Sequence, residues 1–324
     1  MTAKVTVVIP TINNEKDIED CLKGLQKQTY KDFEILLVDG YSKDKTVEIG
    51  KKYGAKVVYD DGHTRAHACN TALKHVKTSY IAFTDADCIP MPDWLEEIMK
   101  EFEENGNIAG VGGPNYAPPS DSDFAKAVDV VYSSRLVTGT ARYGRIYEET
   151  REIEHNPGCN AAYKTEVLKK VGFDDELPTA EDVVADYNII RNGGILYFTP
   201  KAVVWHHRRN NLKGFWKQIY RYGLGRAMAN KKYKELFNLF HIMPSSAIIL
   251  FPVFTIIAFL SLLCCKFIFY LWAVSIVVYL VSCLYGAIAS YSKYKNLKTI
   301  IIALFLIPIA HLAWGIGYLQ GMRK

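Results

Sequence analysis

The chain has 324 residues, of which 49% are hydrophobic and 23% are charged, and its formal net charge is +5. Charged residues are frequent up to about residue 240, and beyond that point the chain is almost entirely apolar. This division excludes a wholly water-soluble protein and predicts a soluble N-terminal part followed by a membrane region. The seven cysteines show no metal-type spacing and are interpreted as reduced thiols.

The first 84 residues have the pattern of alternating strands and helices. Continuous β-branched and apolar runs predict strands at 5–9, 33–38, 57–59 and 81–84. Apolar periodicity predicts helices at 17–28, 45–53 and 65–75. Strands that alternate with helices at this spacing predict an open, mostly parallel α/β sheet.

Polar residues follow each of the four predicted strands. They are Pro10-Thr11, Asp39, Asp60-Asp61, and Asp85 with Asp87. Parallel α/β sheets bind ligands at the carboxyl ends of their strands, so these residues are expected to meet at one edge. The glycine-rich fingerprint of dinucleotide binding does not follow the first strand, and the P-loop motif is absent from the sequence, which argues against both types of site.

Asp85 and Asp87 are the strongest candidates for a metal site. Residues two apart in an extended segment point the same way, so both carboxylates can aim at one point. Such a pair would hold a hard divalent ion beside a phosphate. The alternative is a strand that ends in a polar turn, where Asp is common.

An ordered set of short motifs continues beyond these strands. Its members are Val7–Thr11 with Asn13 and Glu15; Leu37–Gly40 with Ser42, Asp44 and Thr46; Asp85-Ala86-Asp87; Asn156–Lys164; Val171–Asp174; Ala180–Asp182; and Arg191 with Gly193-Gly194. In this order and spacing the set resembles the inverting nucleotide-sugar glycosyltransferases of family 2. The resemblance covers about residues 4–225 and implies a GT-A (Rossmann-like) fold.

The resemblance implies a nucleotide site with nine members. They are Pro10, Thr11, Asn13, Glu15, Asp39, Arg65, Asn70, Asp85 and Ala86. Asp39 would accept a hydrogen bond from the imide N–H of uracil, which favours a UDP-sugar; a simple turn aspartate is the alternative. Arg65 would reach the diphosphate in a charge-assisted bond, unless it is only a solvated helix-start residue.

The resemblance also implies a bound Mg2+ or Mn2+ ion. Asp87 and Asp85 would hold it, with one more ligand from Trp205-His206-His207, where His207 is slightly preferred. Imidazole suits Mn2+ better than Mg2+. The cation would neutralise charge on the departing nucleoside diphosphate.

Asp182 matches the catalytic base of the family, and Glu181 matches its neighbour. An inverting transferase needs a base to remove the acceptor hydroxyl proton during attack on the anomeric carbon. Both acids are expected in the first turn of a helix, with Thr179 as N-cap. A phosphate acceptor needs no base, so Asp182 favours a hydroxyl acceptor.

Six further residues are implied on the acceptor and diphosphate side: Gly158, Asn160, Arg191, Gln218, Arg221 and Tyr222. The last three lie in Phe215–Gly223, which resembles the Q-x-x-R-W signature of membrane-bound polysaccharide synthases. Gln218 and Arg221 share a helix face. Tyr222 stands where Trp is usual, which leaves processive synthesis open.

The sequence predicts three regions: a cytosolic GT-A domain (1–205), a basic amphipathic interfacial segment (206–242) and a transmembrane region (243–324). Spans are predicted at about 244–264, 268–290 and 299–320, since each run exceeds the length needed to cross a bilayer. Residues 206–234 hold nine Lys or Arg and no acid, which places the N-terminal part in the cytoplasm. The C-terminal Arg323-Lys324 would then face outward, against the same rule.

These features together predict a multi-pass cell-membrane enzyme that transfers a sugar from a nucleotide sugar to a hydroxyl of a polyprenyl-linked glycan. Three alternatives remain: transfer to polyprenyl phosphate, processive polysaccharide synthesis, and a catalytically inactive nucleotide-binding scaffold. Nucleic acid is not an expected partner. The sugar, the linkage, guanine as the donor base, and the oligomeric state remain open.

Overall fold

The computed structural model describes residues 3–62, 64–138, 148–288 and 294–324. The chain forms two compact units, residues 1–119 with 142–207, and residues 120–141 with 208–324. The second unit thus includes a segment, 120–141, that the sequence predicts as part of the N-terminal domain. The start of the basic segment at residue 206 lies close to only one of the boundaries between the two units.

The first unit is an α/β structure. Its elements are β1 (Val5–Thr11), α1 (Ile18–Gln26), β2 (Phe33–Asp39), α2 (Thr46–Lys52), β3 (Lys56–Tyr59), α3 (Arg65–His75), β4 (Tyr80–Phe83), β5 (Cys88–Pro90), α4 (Trp94–Glu104), β6 (Ile108–Gly112) and β7 (Asn115–Tyr116). In the second unit follow α5 (Asp123–Ser133) and α6 (Arg135–Thr138). The first unit then continues with β8 (Arg151–Ile153), β9 (Ala161–Lys164), α7 (Thr165–Val171), α8 (Glu181–Arg191), β10 (Ile195–Phe198) and β11 (Val204–His206).

Within the described residues, eight strands form the main sheet, in the order β3-β2-β1-β4-β9-β6-β10-β8. The first four are parallel, as the alternation of strands and helices predicts. Strand β9 runs antiparallel to β4 and β6, and β8 runs antiparallel to β10. Two buried apolar clusters cover the sheet. The predicted mostly parallel α/β sheet is confirmed.

The register of the parallel strands brings the predicted site residues to one edge. Thr11 at the end of β1 lies opposite Asp39 at the end of β2, and Asp39 lies opposite Tyr59 at the end of β3. A smaller sheet, β5-β11-β7, pairs Cys88 with His206. This pairing carries the end of β11 to the turn that holds Asp85 and Asp87.

The remaining elements of the second unit are α9 (Leu212–Lys232), a short 3-10 helix (Lys234–Leu236), α10 (Leu239–Ser261), α11 (Lys266–Ile288) and α12 (Leu297–Arg323). Helices α10, α11 and α12 are each long and apolar enough to cross a membrane. They overlap the three predicted spans, although residues 289–290 of the second span lie outside the described residues.

Candidate active site

Asp85 and Asp87 lie in a tight turn. Strand β4 ends at Phe83, and the N–H of Cys88 donates to the carbonyl oxygen of Asp85 at 3.0 Å. The predicted convergence of the two carboxylates is therefore present, but its cause differs from the prediction. The turn, and not the alternation of an extended strand, brings them together.

One oxygen of each carboxylate and a ring nitrogen of His206 all lie within 4.8 Å of one another. His206 Nε2 lies 3.4 Å from Asp87 Oδ1. Burial acts to lower the pKa of His206, but the charge of Asp87 and the Cys159 thiol outweigh it and raise that pKa to about 10. The cluster thus favours a positive charge, and its donors, two carboxylates and an imidazole, suit Mn2+ or Mg2+.

The histidine of this cluster is His206, whereas the sequence slightly favoured His207. The reason is the strand pairing, because β11 ends at His206 directly opposite Cys88. His207 meets the turn through its backbone, since its N–H donates to the carbonyl oxygen of Asp87 at 3.0 Å. We therefore transfer the proposed ligand role to His206.

Two buried thiols also lie near His206. Cys88 and Cys159 have their sulfur atoms within 4.8 Å of each other and of a His206 ring nitrogen. These donors are soft and suit thiophilic ions, whereas the carboxylates suit Mg2+ and Mn2+. The hard cation implied by the resemblance therefore fits the Asp85, Asp87 and His206 set.

Arg65, the first residue of α3, connects the turn that holds Asp85 and Asp87 (the metal turn) to the segment that holds Glu181 and Asp182 (the base region). Its Nε donates to Asp85 Oδ1 at 3.1 Å, and its Nη1 donates to Glu181 Oε1 at 3.2 Å. Its Nη2 donates to the carbonyl oxygen of Gly158 at 2.7 Å. The guanidinium fork therefore holds carboxylates from the two predicted halves of the site at a fixed separation.

Asp182 lies in the first turn of α8, which begins at Glu181. The N-cap residue is Ala180, in a left-handed conformation with φ of 72°, and not the predicted Thr179. Asp182 Oδ2 accepts from the N–H of Gly158 at 3.0 Å, and Oδ1 accepts from the N–H of Val183 at 2.8 Å. Both carboxylate oxygens are thus oriented by the backbone.

The two adjacent acids have opposite electrostatic environments. Burial acts to raise the pKa of Asp182, but the charges of His155 and Arg65 and two backbone N–H groups outweigh it, so this pKa is lowered. Burial and the charge of Asp182 raise the pKa of Glu181, although Arg65 opposes the shift. Asp182 is therefore the acid of the pair that is ionised first as the pH rises.

His155 and Asp186 are not among the predicted site residues. His155 lies between the carboxylates of Asp182 and Asp186. His155 Nδ1 lies 2.8 Å from Asp186 Oδ2, and its Nε2 lies 3.9 Å from Asp182 Oδ2. Asp186, which is fully buried, also accepts from Asn156 N–H and Tyr163 O–H, each at 2.8 Å. The spacing of Asp182 and Asp186, four residues apart on one helix face, was the available sequence signal.

Gly158 lies directly against the base and the arginine. A Cβ at this position would lie 2.8 Å from Arg65 Nη1 and 3.1 Å from Asp182 Oδ2. Glycine thus allows the backbone to approach both side chains. The predicted acceptor-side role of Gly158 stays a prediction.

The loops that follow β1 and β2 are joined by hydrogen bonds. Asn13 N–H donates to Ser42 Oγ at 2.8 Å, and Asn13 Oδ1 accepts from Lys43 N–H at 2.9 Å. Glu15 Oε2 accepts from Lys45 N–H at 3.1 Å. The two loops therefore form one connected rim at the sheet edge where a nucleotide is predicted.

Asp39 is fully buried beneath this rim. Its Oδ2 accepts from Ser42 N–H at 2.8 Å, and its Oδ1 accepts from the Ser42 hydroxyl at 2.5 Å. A carboxylate has about four lone-pair sites, so capacity for a uracil N–H remains. Pro10 and Thr11 end the neighbouring strand, and Ala86 is buried in the metal turn. Contact of these residues with a nucleotide stays a prediction.

Three predicted site residues have other roles in the structure. The Asn70 amide donates to the carbonyl oxygen of Phe173 at 2.8 Å and accepts from its N–H at 2.9 Å, so it holds that turn. Asn160 is fully buried and bonded to Pro114, Ala202 and Trp94. Arg191 ends α8, about 15 Å along the helix from Glu181 at about 1.5 Å per residue. The predicted nucleotide and acceptor roles of these three residues stay predictions.

Gln218, Arg221 and Tyr222 lie on α9 in the second unit. Gln218 Oε1 accepts from the Tyr132 hydroxyl at 2.8 Å, and its Nε2 donates to the Tyr222 hydroxyl at 3.1 Å. Arg221 is exposed. The predicted acceptor and diphosphate roles of these residues stay predictions.

The fold is that of solved GT-A glycosyltransferases. The mannosyltransferase PcManGT from Pyrobaculum calidifontis, in complex with GDP-Man and Mn2+, has a TM-score of 0.63 and 19% sequence identity, and the match covers 95% of this chain and 88% of that one. TarS from S. aureus in complex with UDP-GlcNAc has a TM-score of 0.53 and 17% identity, covering 98% and 92%. At these identities the likeness shows the fold alone.

Residues 6–172 match the family model described as glycosyl transferase family 2. The chain belongs to this family, and it is an enzyme of the transferase class. The predicted family and fold are thereby confirmed.

Similar sequences include three named glycan-forming proteins. The dolichyl N-acetyl-alpha-D-glucosaminyl phosphate 3-beta-D-2,3-diacetamido-2,3-dideoxy-beta-D-glucuronosyltransferase of Methanococcus voltae is 27% identical, covering 74% of this chain and 77% of the relative. Glycosyltransferase AglE of Haloferax volcanii is 29% identical (61% and 60%), and the poly-beta-1,6-N-acetyl-D-glucosamine synthase of Staphylococcus epidermidis is 23% identical (68% and 54%). The chain spans less than two thirds of the length of the latter two.

Proposed function

We propose that this protein inverts the anomeric configuration while it transfers a sugar from a nucleotide sugar to a hydroxyl of a polyprenyl-linked glycan. A UDP-sugar is the favoured donor, and the cytosolic membrane surface is the proposed location. The observation that carries the proposal is the position of Asp182. The charges of His155 and Arg65 lower the pKa of its carboxylate, and the N–H of Gly158 orients it. Arg65 also bonds Asp85 and the neighbouring Glu181.

Asp182 is the proposed general base. In an inverting displacement one carboxylate removes the acceptor proton while the acceptor oxygen attacks from the face opposite the leaving group. The lowered pKa of Asp182 keeps it available for this step at neutral pH. The bonds from Gly158 and Val183 hold its oxygens in a fixed orientation toward the acceptor side.

Arg65 is the proposed contact to the diphosphate. Its guanidinium is a charge-assisted donor suited to phosphate oxygens, and it already bridges the metal turn and the base region. Bound Mg2+ or Mn2+ at Asp85, Asp87 and His206 would supply positive charge to the departing diphosphate. We place the nucleobase over the rim formed by Asn13 and Glu15, above Asp39.

The nature of donor and acceptor rests on the relatives. The Methanococcus voltae protein is named for transfer to a dolichyl phosphate-linked sugar, which supports a lipid-linked hydroxyl acceptor. The complex of TarS with UDP-GlcNAc supports a UDP-sugar, whereas that of PcManGT with GDP-Man supports the guanine alternative. The nine Lys or Arg of residues 206–234 support a cytosolic location.

A donor panel tests the proposal with the detergent-solubilised full-length chain. UDP- and GDP-sugars are compared by release of nucleoside diphosphate, with Mn2+ or with EDTA. We expect turnover only with a divalent cation and faster turnover with a UDP-sugar. If none of the donors is turned over, the inactive scaffold is supported. A ladder of products would support processive synthesis.

The choice of acceptor is tested with Asp182→Asn. On a polyprenyl-linked glycan hydroxyl we expect a loss of at least ~100-fold, the lower range for a general base. Nearly unchanged transfer to polyprenyl monophosphate by the same variant would support the phosphate-acceptor alternative and contradict the hydroxyl acceptor.

A further inference from the structure

The three apolar helices of the second unit differ in how much the protein covers them. In the most apolar stretch of α10, 11% of the residues are buried, and in that of α11, 6% are buried. In α12 the corresponding share is 44%. Three helices of similar mean hydropathy therefore have different surroundings.

Helices α10 and α11 form a hairpin whose surface is almost entirely apolar. The Trp272 indole N–H donates to Thr255 Oγ1 at 3.0 Å across the hairpin, and the Phe259 ring lies 5.2 Å from the Trp272 ring. Each helix has 23 residues, about 35 Å at about 1.5 Å per residue. This length crosses a hydrocarbon layer of about 30 Å, and the exposed apolar surface suits lipid.

Helix α12 meets this hairpin at its base. The Trp314 indole N–H donates to the carbonyl oxygen of His241 at 2.9 Å, and Ser245 Oγ donates to that of Gly315 at 3.0 Å. Both His241 and Ser245 lie in the first turns of α10. The Tyr279 hydroxyl of α11 lies 2.9 Å from His311 Nδ1.

The later part of α12 packs directly on α9 through glycine. A Cβ at Gly317 would lie 2.1 Å from the carbonyl oxygen of Tyr220, and one at Gly321 would lie 2.4 Å from that of Leu224. A Cβ at Gly223 of α9 would lie 2.2 Å from the carbonyl oxygen of Trp314. The two backbones touch, as in small-residue helix interfaces.

The earlier part of α12 packs along α5 and α6. The Asn296 amide, at the N-cap, donates to Asp123 Oδ1 at 2.7 Å, and the preceding Tyr294 hydroxyl donates to Asp129 Oδ2 at 2.6 Å. Farther along, His311 Nε2 lies 3.0 Å from the carbonyl oxygen of Leu136. Helix α12 is therefore covered by α5 and α6 at one end and by α9 at the other.

The helices that cover α12 carry charges that do not belong in hydrocarbon. Helix α9 has six Lys or Arg and no acid, and α5 has Asp123, Lys126 and Asp129. Asp129 is fully buried and accepts from Arg208 Nη2 at 2.7 Å and Nε at 2.9 Å. Charged side chains at the bilayer centre are strongly unfavourable, so α5 and α9 stay outside it. A helix packed along both stays outside with them.

The exposed side of α12 is a single apolar stripe. Ile301, Phe305, Leu312 and Ile316 are exposed, and their spacing of four, seven and four residues puts them on one helix face. Phe305 is 66% exposed. A helix with one face on protein and an apolar stripe on the other has the form of an interfacial helix that lies in the membrane surface.

We propose that α12 lies along the cytosolic membrane surface with its stripe in the lipid, and that the α10–α11 hairpin alone crosses the bilayer. The bilayer is thus the partner of the stripe. This replaces the predicted third span at 299–320. It also places Arg323-Lys324 on the cytosolic side, together with the nine basic residues of 206–234, which removes the conflict with the positive-inside rule.

Cysteine labelling with a membrane-impermeant maleimide tests this topology in spheroplasts that express the full-length chain. Cys264 and Cys265, at the hairpin tip, are exposed, and the other five cysteines are buried. In the native chain, the tip should be labelled from outside. In a triple variant, Cys264→Ser and Cys265→Ser remove the tip cysteines and Lys324→Cys introduces one at the C-terminal end of α12. The reagent should label this variant only after the membrane is permeabilised. Labelling of Lys324→Cys in intact spheroplasts, or of the tip only after permeabilisation, would overturn the proposal.

Spin-label depth measurements test the orientation of α12 independently. Nitroxides are placed singly at Ile301, Phe305, Leu312 and Ile316 in the Cys264→Ser, Cys265→Ser chain in liposomes. An interfacial helix gives four similar, shallow depths. In a spanning helix, positions 301 and 316 would differ by about 22 Å in depth, at about 1.5 Å per residue. A depth profile that rises to a maximum near the helix centre would overturn the proposal.

Discussion

Two clusters of the first unit contain the same residue types, two aspartates and one histidine, and have different surroundings. In the metal cluster, Asp85, Asp87 and His206 direct their donor atoms to within 4.8 Å of one another. In the base cluster, Asp182, Asp186 and His155 are joined in a row, and the two carboxylates also accept from backbone N–H groups. The backbone donors around Asp182 and Asp186, and not the residue types, distinguish the proposed base from the proposed cation site.

The largest expected effect is at the base. Asp182→Asn keeps the shape and removes the proton acceptor, so kcat on a hydroxyl acceptor should fall by at least ~100-fold. Affinity for the nucleoside diphosphate and for Mn2+ should be unchanged in calorimetry, because the metal cluster is intact. Asp175→Asn, an exposed position near the start of the same helix, is the matched control and should retain activity. A comparable loss of Mn2+ affinity in Asp182→Asn would remove the distinction between the clusters.

The next effect is at the metal cluster. His206→Gln removes the imidazole and should raise the Mn2+ concentration for half-maximal activity by about tenfold or more, the range for perturbed metal shells. His207→Gln is the matched control and should change it by less than about twofold, since its recorded contact to Asp87 is through its backbone. If His207→Gln had the larger effect, the sequence-based preference for His207 would be restored.

A smaller effect with a pH signature is expected at His155. His155→Gln should lower kcat/KM by about tenfold through loss of orientation of Asp182. The charge of His155 lowers the pKa of Asp182, so its removal raises that pKa. Less Asp182 is then ionised at acidic pH, and the acid limb of kcat/KM should move to higher pH. An unmoved acid limb would show that His155 does not act on the base.

The smallest effect is expected at Gly158. The Cβ of Gly158→Ala would lie 2.8 Å from Arg65 Nη1, the end of a flexible side chain, and 3.1 Å from Asp182 Oδ2. Modest displacement of both groups should lower kcat by about fivefold with little change in metal dependence. Gly106→Ala, where a Cβ meets nothing within 4 Å, serves as the control and should be silent. Full activity of Gly158→Ala would mean that the two side chains need no close backbone approach.

The sheet and the metal turn were predictable because their signals are local. The continuous apolar run from Val5 to Ile9 indicates a buried strand, and the acids after the other three strands mark where those strands end. Asp182 was found only through its family motif. Its support by His155 was not predicted, because that contact joins residues 27 positions apart through tertiary packing.

Three features of the structure could not be read from the sequence motifs alone. Asn70 and Asn160 belong to motifs near the site, but a motif does not show which way a side chain points. The choice between His206 and His207 depended on which of the two pairs with Cys88, and a shift of the strand by one residue would exchange them. For α12, apolar composition predicts a span, and only its contacts with α5 and α9 distinguish a lipid-facing helix from a covered one.

The most direct test of the proposed mechanism is the anomeric configuration of the product. In the proposed mechanism Asp182 is a single base on one face of the donor sugar, so an α-linked nucleotide sugar should give a β-glycoside. Proton NMR of the transferred sugar measures this through its anomeric coupling constant. A β-configured product from the wild-type protein, lost with Asp182→Asn, is the predicted result. An α-configured product would contradict an inverting transfer with Asp182 as its base.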